Sequence, residues 1–472
     1  RGLDAMSIVY DGDEALAARI DKAMGDPRLA TTLGASRRHL LGFRAAVEER
    51  HPDWAARVDR AKAIRTDAVA RAPELLARFE AAVTGRGGTV VHAATGDDAV
   101  RAVLEVARRR GVEVIAKGKS MVSEEIELNQ ALEGAGLTPV ETDLGEWIVQ
   151  LAGERPSHIL APVIHRSRGQ IAEVLAAHSG GPMADDPVGL VTYSREQLRS
   201  VFLEAGMGIT GANFMIADTG TVVVLENEGN GRLVSSLPKV HVVLAGMERI
   251  LETTADAAFM VEQLTLAAVG RELPSYVSWL SGAAVDGDDG PEEFVVIVLD
   301  NGRSRVRESD EREILNCIRC GSCLTVCPVY SKVGGHAYGS VYSGPIGAVL
   351  TPLLTNMQPD QGRKLPFLSS LCGACTDACP VGIPLHEMLI RDRALANQAG
   401  LAGRGERAAW GAWSRAWSSP RLYRASARAG ARSGPFARAF GPGASWLEGR
   451  ATLPLPSTKP FHRRWSELED GE

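Results

Sequence analysis

The sequence has no cysteine before residue 317 and none after residue 379. A disulfide framework spreads its cysteines and prefers an even number, whereas this chain has seven, all between Cys317 and Cys379. It also lacks an apolar run of the roughly 18 residues that a transmembrane helix needs. Residues 1–10 carry no charged-then-apolar leader, so export is not indicated and the cytoplasm is the expected location. The start at Arg1 leads us to expect that the natural N-terminus lies upstream. There is no flavin fingerprint and no complete P-loop. Gly118-Lys119-Ser120 imitates the end of one, but Glu113 stands where its first glycine belongs. Nor does a nucleic-acid-binding fold accompany the basic residues.

What is present is a balance of 45% hydrophobic and 23% charged residues over 472 positions, which suits a soluble chain of two or three domains. The net charge of −6 is unevenly spread. Residues 401–464 hold twelve Lys/Arg against Glu406 and Glu448, leaving −16 on the rest of the chain. A basic tail on an acidic body points to a docking surface.

Residues 1–82 read as helices, with apolar positions at helical spacing from Arg57 to Phe79 and a kink or break at Pro73. Strand and helix signals then alternate. Strands are expected at Thr89–Ala94, Val112–Ala116, Pro139–Thr142 and His158–Ala161, with helices at Asp97–Arg110 and Glu124–Leu132. Such alternation implies a parallel sheet wrapped by helices. Asn213–Ala217 and Thr221–Leu225 predict a hairpin across Asp218-Thr219-Gly220. Two further strands, Val240–Ala245 and Phe294–Leu299, flank a helix through Met247–Ala268, and Asp286–Gly290 reads as a turn. The α/β domain is therefore expected over 83–300, a cysteine module over 305–395 and a basic Trp/Arg-rich region over 396–472. The fold class is α/β followed by a helical two-cluster ferredoxin module.

The first cysteine motif, Cys317-Ile-Arg-Cys320-Gly-Ser-Cys323-Leu-Thr-Val-Cys327-Pro328, has the C-x2-C-x2-C-x3-C-P spacing of bacterial ferredoxins with two 4Fe–4S clusters. Three thiolates two residues apart on a curled loop each reach a different iron, and the fourth faces the neighbouring cluster. The second motif, Cys372-Gly-Ala-Cys375-Thr-Asp-Ala-Cys379-Pro380, supplies the last three cysteines of the same pattern, with Ser369 at the position of the first. Crossed ligation assigns Cys317, Cys320, Cys323 and Cys379 to one cluster, and Cys327, Cys372 and Cys375 to the other. The second cluster is then 3Fe–4S, or 4Fe–4S with Ser369, water or a partner group on its fourth iron. A zinc ribbon, the usual alternative for paired CxxC motifs, does not accommodate seven cysteines with two Cys-Pro endings.

Lys117, Lys119 and Ser120 lie between a strand and a helix, a place that favours an anion such as a carboxylate. The alternative is a solvated turn with one structural lysine. Glu141, Asp143 and Glu146 follow another strand, either as a site for acid–base work or as a charge cluster at a helix start. His158 and His165 bracket an expected strand and read as structural. Trp410, Trp413 and Trp417 fall on one helix face among arginines, suiting a core contact, a partner or a membrane interface.

The segment Pro328-Val-Tyr330, then Val333-Gly-Gly-His336-Ala-Tyr338-Gly-Ser-Val-Tyr342-Ser-Gly-Pro345-Ile-Gly347-Ala-Val-Leu-Thr351-Pro352, resembles the iron–sulfur subunit family of the bacterial lactate-utilisation system, LutB or LldF. Ser-Ser-Leu-Cys before the second motif fits that family. So do Lys117–Glu125, Glu141–Glu146, Ala212–Thr221 and Glu226–Asn230, which resemble the LUD domain named for the system, and Pro456–Trp465 at the tail. The resemblance implies a three-layer α/β/α LUD domain like the sugar-phosphate isomerase and CoA-transferase group. It also implies an electron-relay subunit of a complex oxidising L-lactate to pyruvate, an oxidoreductase in which this chain is not the sole catalytic one. The implied partners are a Cys-rich subunit and a second LUD protein, with an electron acceptor or the inner face of the membrane as a peripheral contact. Glycolate oxidase or heterodisulfide reductase subunits share the cysteine module but lack the LUD motifs, and a metabolite-binding redox sensor is the remaining alternative.

Overall fold

Runs of β-branched residues too apolar to alternate must be buried on both faces, and two of them form the middle of the main sheet. The strands are β1 Thr89–Ala93, β2 Val114–Lys117, β3 Thr138–Glu141, β4 Met207–Thr210, β5 Phe214–Ile216, β6 Thr221–Glu226, β7 Val240–Gly246, β8 Ile250–Leu251, β9 Tyr276–Leu280 and β10 Glu293–Leu299. β7 is buried at every position, and β10 at every position after Glu293. They pair in parallel within a six-stranded sheet of order β1-β10-β7-β4-β2-β3. The helix Gly96–Arg110 covers it, started by a capping box between Thr95 and Asp98 and stopped by left-handed Gly111. Val103, Ile115, Ile126, Ile209, Leu244 and Ile297 meet in the core between them.

The computed structural model describes residues 8–9, 15–285, 288–358, 360–429, 461, 464 and 465. Asp286 and Gly287 of the expected turn, and most of Pro456–Trp465, lie outside the described residues. The chain divides into two units, Arg1–Ala399 and Gly400–Glu472. Among the described residues no helix is long and apolar enough to cross a membrane.

The expected hairpin forms, with β5 antiparallel to β6 in a second sheet of order β8-β5-β6-β9. Its turn residue Gly220 has φ 61°, and a Cβ there would sit 2.7 Å from the amide of Val83. The N-terminal helices break where Pro73 begins a new one, giving Trp54–Ala70 and Ala72–Thr84. Fully buried Arg65 ties these helices to both later modules. It donates to the carbonyls of Ile250 at 3.0 Å, Leu315 at 3.0 Å and Asn316 at 3.3 Å, and to that of Glu248.

Several expected elements differ. His158–Ala161 is a turn, because the His158 Nδ1 accepts from the amides of Leu160 and Ala161 at 3.0 and 3.1 Å. The run from Met247 is a short 3-10 turn followed by β8, and the helix is Thr254–Val269, capped by the Thr253 hydroxyl. The expected helix over 124–132 is two, Met121–Glu125 and Leu128–Gly134, separated by Glu127 at φ 48°. Strands β4 and β9 and the helices Arg168–Ser179 and Pro187–Glu204 were not foreseen from the sequence pattern.

The cysteine region is helical in short pieces: Ser322–Val326, Tyr330–Val333, Gly344–Leu354, Ala374–Asp377 and Leu385–Gln398. Gly344–Leu354 is buried at every residue, as its apolar sequence requires. A buried ionic knot joins this region to the α/β part. The Arg303 guanidinium donates to both oxygens of Glu125 at 2.8 and 2.7 Å and to Glu248 at 2.7 Å. Tyr342, from the stretch between the cysteine motifs, donates its hydroxyl to Glu125 at 2.6 Å. Burial alone would raise the Glu125 carboxyl, but the charge and hydrogen bonds of Arg303 hold it below its ordinary value.

Candidate functional site

The two cysteine loops share a backbone device. In the first, Arg319 and Gly321 have φ 61° and 74° on either side of Cys320; in the second, Leu371 and Gly373 have φ 56° and 85° on either side of Cys372. Two left-handed residues flanking one cysteine curl each loop around a common interior. The first loop then enters the helix Ser322–Val326, which carries Cys323, and Cys327 caps that helix before Pro328. Backbone amides aim at sulfur: Arg319 N donates to Cys317 Sγ at 3.4 Å, Tyr330 N to Cys327 Sγ at 3.4 Å and Ile383 N to Cys379 Sγ at 3.3 Å. Ser369 stands in the second loop as Cys317 does in the first. Its Oγ accepts from Leu371 N at 3.1 Å, two residues on, as Cys317 Sγ accepts from Arg319 N.

All seven thiols are free. Their mutual charges sort them into two neighbourhoods. The Cys323 thiol is pushed well above its ordinary value, by burial first and then by Cys317, Cys320 and Cys379. Cys379 is pushed up to about 12 by burial, then by Cys320 and Cys317. Cys375 rises to about 11 through burial, Cys327 and Cys372. Cys327 rises through burial, with Cys372 among the charges acting on it. Cys379 therefore sits beside the cysteines of the first motif, and Cys327 beside those of the second. Buried thiols grouped this way ionise only against positive charge at their centre, and amides directed at the sulfurs stabilise the thiolate form. The donor set fits iron–sulfur clusters. Exposure varies within both: Cys320 and Cys323 of the first are buried and Cys317 and Cys379 half-buried, while Cys327 and Cys375 of the second are buried and Cys372 is exposed.

A cavity of about 340 Å³ opens between the α/β part and the first cysteine loop. Lys119, Ser120 and Asp143 line it, as do the loop Glu226–Asn230 and, from the cysteine loop, Ile318 and Arg319. Lys117 and Glu141 do not line it. Lys117 is fully buried at the end of β2, where it donates to Glu141 and to Asn129 Oδ1 at 2.6 Å. Burial alone would lower the Lys117 ammonium, yet the Glu141 charge raises it. Of the expected anion-binding group, Lys117 is therefore committed to an internal pair, and Lys119 and Ser120 face the cavity.

Asp143 caps the helix Leu144–Leu151 by accepting from Glu146 N at 3.1 Å. Glu146 lies 3.6 Å from Lys119 Nζ, and burial raises its carboxyl well above the ordinary range. His158 is held neutral, near 3, by burial and by Lys119. His165 pairs with Glu154 at 2.9 Å, outside the cavity. Glu226 accepts from the amides of Gly231 and Arg232, which fixes the loop before the helix Asn230–Ser236. Sequence reasoning missed Arg249 and Arg319, both of which reach the cavity wall. Arg249 carries no motif; the one signal for Arg319 is a charged residue inside a cluster-binding loop.

Residues 76–299 match the LUD domain and residues 313–383 the 4Fe-4S dicluster domain. The dicluster match implies two iron–sulfur clusters. Over 469 residues the chain is 39% identical to lactate utilization protein B of Shouchella clausii (strain KSM-K16), covering 98% of each. It is 40% identical over 470 residues to that of Bacillus pumilus (strain SAFR-032), again covering 98% of each. With the protein of Bacillus velezensis the identity is 41% over 474 residues, 98% of this chain and 99% of that one. A crystal structure of a DUF162 family protein from Deinococcus radiodurans aligns at 17% identity and TM-score 0.26, covering 48% of this chain and 98% of that chain.

Proposed function

The chain belongs to the lactate utilization protein B family, and from that premise we propose that it is the iron–sulfur electron-transfer subunit of a complex oxidising L-lactate to pyruvate. Its partners are a Cys-rich subunit and a second LUD protein, and it works in the cytoplasm or at the inner face of the membrane. The domain limits we propose are 1–82 for the helical segment, 83–300 for a three-layer LUD domain of sugar-phosphate isomerase/CoA-transferase type, 305–395 for the ferredoxin-type module and 396–472 for the basic tail.

The observation that carries the reading is the sorting of the seven thiols, since Cys379 neighbours Cys317, Cys320 and Cys323 across the two motifs. It supports one cluster on those four and another on Cys327, Cys372 and Cys375, with the Ser369 hydroxyl at the eighth position. Lactate oxidation releases two electrons and two protons, and each cluster, when bound, accepts and passes on one electron at a time. The loop of Cys317 and Cys320 borders the cavity through Ile318 and Arg319, while Cys372 of the second set is the exposed thiol. Clusters held there would take electrons at the first set and pass them through the second toward a quinone or carrier. Arg319 N, Tyr330 N and Ile383 N, by bonding sulfur, bias the potentials of the two sets.

Anaerobically purified protein is expected to hold about seven to eight irons per chain and no zinc. Cys379→Ser should abolish the paramagnetic signal of the cluster held by Cys317, Cys320 and Cys323. A loss confined to the cluster of Cys372 and Cys375 sinks the crossed assignment. Two or fewer irons, or stoichiometric zinc, sinks the iron–sulfur relay itself.

A further inference from the structure

We infer that the cavity beside the first cysteine loop binds a small 2-hydroxy or 2-oxo monocarboxylate, with Arg249 and Arg319 as a guanidinium clamp and Lys119 as a third cationic contact. The choice of acid rests on the electron-relay reading; the site itself rests on the following geometry.

Arg319 Nε and Nη1, both buried here, have no hydrogen-bond acceptor among the described residues, and Lys119 Nζ, also without one, has the Glu146 carboxylate 3.6 Å away. An unsatisfied buried charged donor is costly, so a protein that keeps such atoms beside a cavity has a use for them. Arg319 is held firmly. Its residue is 8% exposed, its backbone is left-handed at φ 61°, its guanidinium lies 4.5 Å over the Tyr342 ring, and its Nη2 is 3.5 Å from Glu248. A left-handed arginine is a strained choice that the surroundings must impose. Arg249 stands on the same wall, with Nη1 3.4 Å from the Cys317 carbonyl. Two guanidinium forks and an ammonium around one cavity are the donor set for a carboxylate.

The rest of the lining narrows the ligand. Ile159, Leu160, Leu264 and Ala268 give an apolar wall, and Asp143, Glu226 and Glu228 line another part. With Glu146 beside Lys119 and Glu248 beside both arginines, carboxylates outnumber the three cations, so a phosphate or dinucleotide would place its further negative charge against them. A monoanion meets only the clamp. At about 30 Å³ per water the volume of 340 Å³ holds roughly eleven waters, ample for a three- to five-carbon acid with ordered solvent. The Ser120 hydroxyl, also in the lining, is placed for a 2-hydroxy or 2-oxo group.

The test uses the full chain, purified anaerobically with its iron, and follows pyruvate binding by calorimetry and by the paramagnetic spectrum of the reduced clusters. We expect saturable binding near one pyruvate per chain, a perturbed signal from the cluster of Cys317, and L-lactate competing for the site. Arg319→Gln and Arg249→Gln should each weaken pyruvate binding at least tenfold with iron content unchanged. If Arg319→Gln loses iron, Lys119→Ala decides, because its side chain lies outside the cysteine loop; unchanged affinity in that variant overturns the site. Variants that shift the cluster potential but bind pyruvate as before also overturn it, showing that the arginines only tune the cluster. Inorganic phosphate binding as tightly as pyruvate overturns the monocarboxylate assignment. A full complement of iron with no pyruvate bound refutes this inference and leaves the relay standing, whereas pyruvate bound by an iron-free chain does the reverse.

Discussion

At the scale of single residues, two lysines two positions apart meet opposite fates. Lys117 ends β2 and is consumed by Glu141 and Asn129, whereas Lys119 lies past the strand and turns to the cavity. The sequence marks both as charged residues after a strand; only the strand's exact end separates them, and that depends on pairing with β3 and β4. The dicluster module was legible because cluster binding demands fixed cysteine spacing. Arg249 was illegible because the cavity assembles from segments far apart in the chain. Asp392 is another residue whose behaviour follows from surroundings alone. Burial and then Glu311 push its carboxyl up to about 8 from an ordinary value of 3.8, and neither oxygen has a hydrogen-bond partner among the described residues. Between those values the folded chain keeps a proton that the unfolded chain has lost, so stability falls as pH rises through that window. Asp392→Asn should therefore raise the melting temperature, with a gain growing from about pH 5 to 8 and reaching roughly 1–3 kcal/mol. Thermal scans across that range check it, and a gain that is flat with pH rules out the titration of Asp392 as its cause.

Among elements, the parallel sheet was readable because β7 and β10 are continuous apolar runs, and the hairpin because Asp-Thr-Gly separates β5 from β6. Shorter elements were not. β8 has two residues, too few for any period, and the apolar stretch at His158 is bent by its own imidazole accepting two amides. The helix Arg404–Ser418 is the reverse case, a clear pattern with an open purpose. Trp410 and Trp413 meet edge to face at 5.6 Å, Trp413 and Trp417 stack at 4.9 Å, and the three remain 59%, 48% and 52% exposed. Replacing all three with Ala should leave iron content intact and reduce either co-purification of the partner subunits or binding to anionic vesicles. Loss of iron or aggregation of the isolated chain would instead assign the helix to internal packing.

For the molecule as a whole, the Arg303 knot ties the α/β part to the cysteine region. Removing Arg303 leaves Glu125 buried without its cation and takes from Glu248 the nearest of its three, Arg319 and Arg249 remaining at 3.5 and 3.9 Å. Arg303→Met should cost about 3–5 kcal/mol and bring iron loss with it, because Tyr342 and Arg319 hang on the same carboxylates. Combining it with Glu125→Gln should recover part of that loss, read from the melting temperature and iron retained after anaerobic gel filtration. An Arg303→Met protein that melts like wild type would show that the two regions are held by apolar contact alone. On the crossed ligation proposed above, the interleaving of the two cysteine motifs also has a consequence in time. A nascent chain that has emerged through Cys327 holds the whole first motif and still no complete thiol set, because Cys379 is among the last residues of the module to be made. Under that assignment the set of Cys327, Cys372 and Cys375 closes only within the second motif, and the set of the first motif closes four residues later, at Cys379. Loading of both centres would then come late, and a protein truncated between Pro328 and Cys372 would be born without a complete site of either kind.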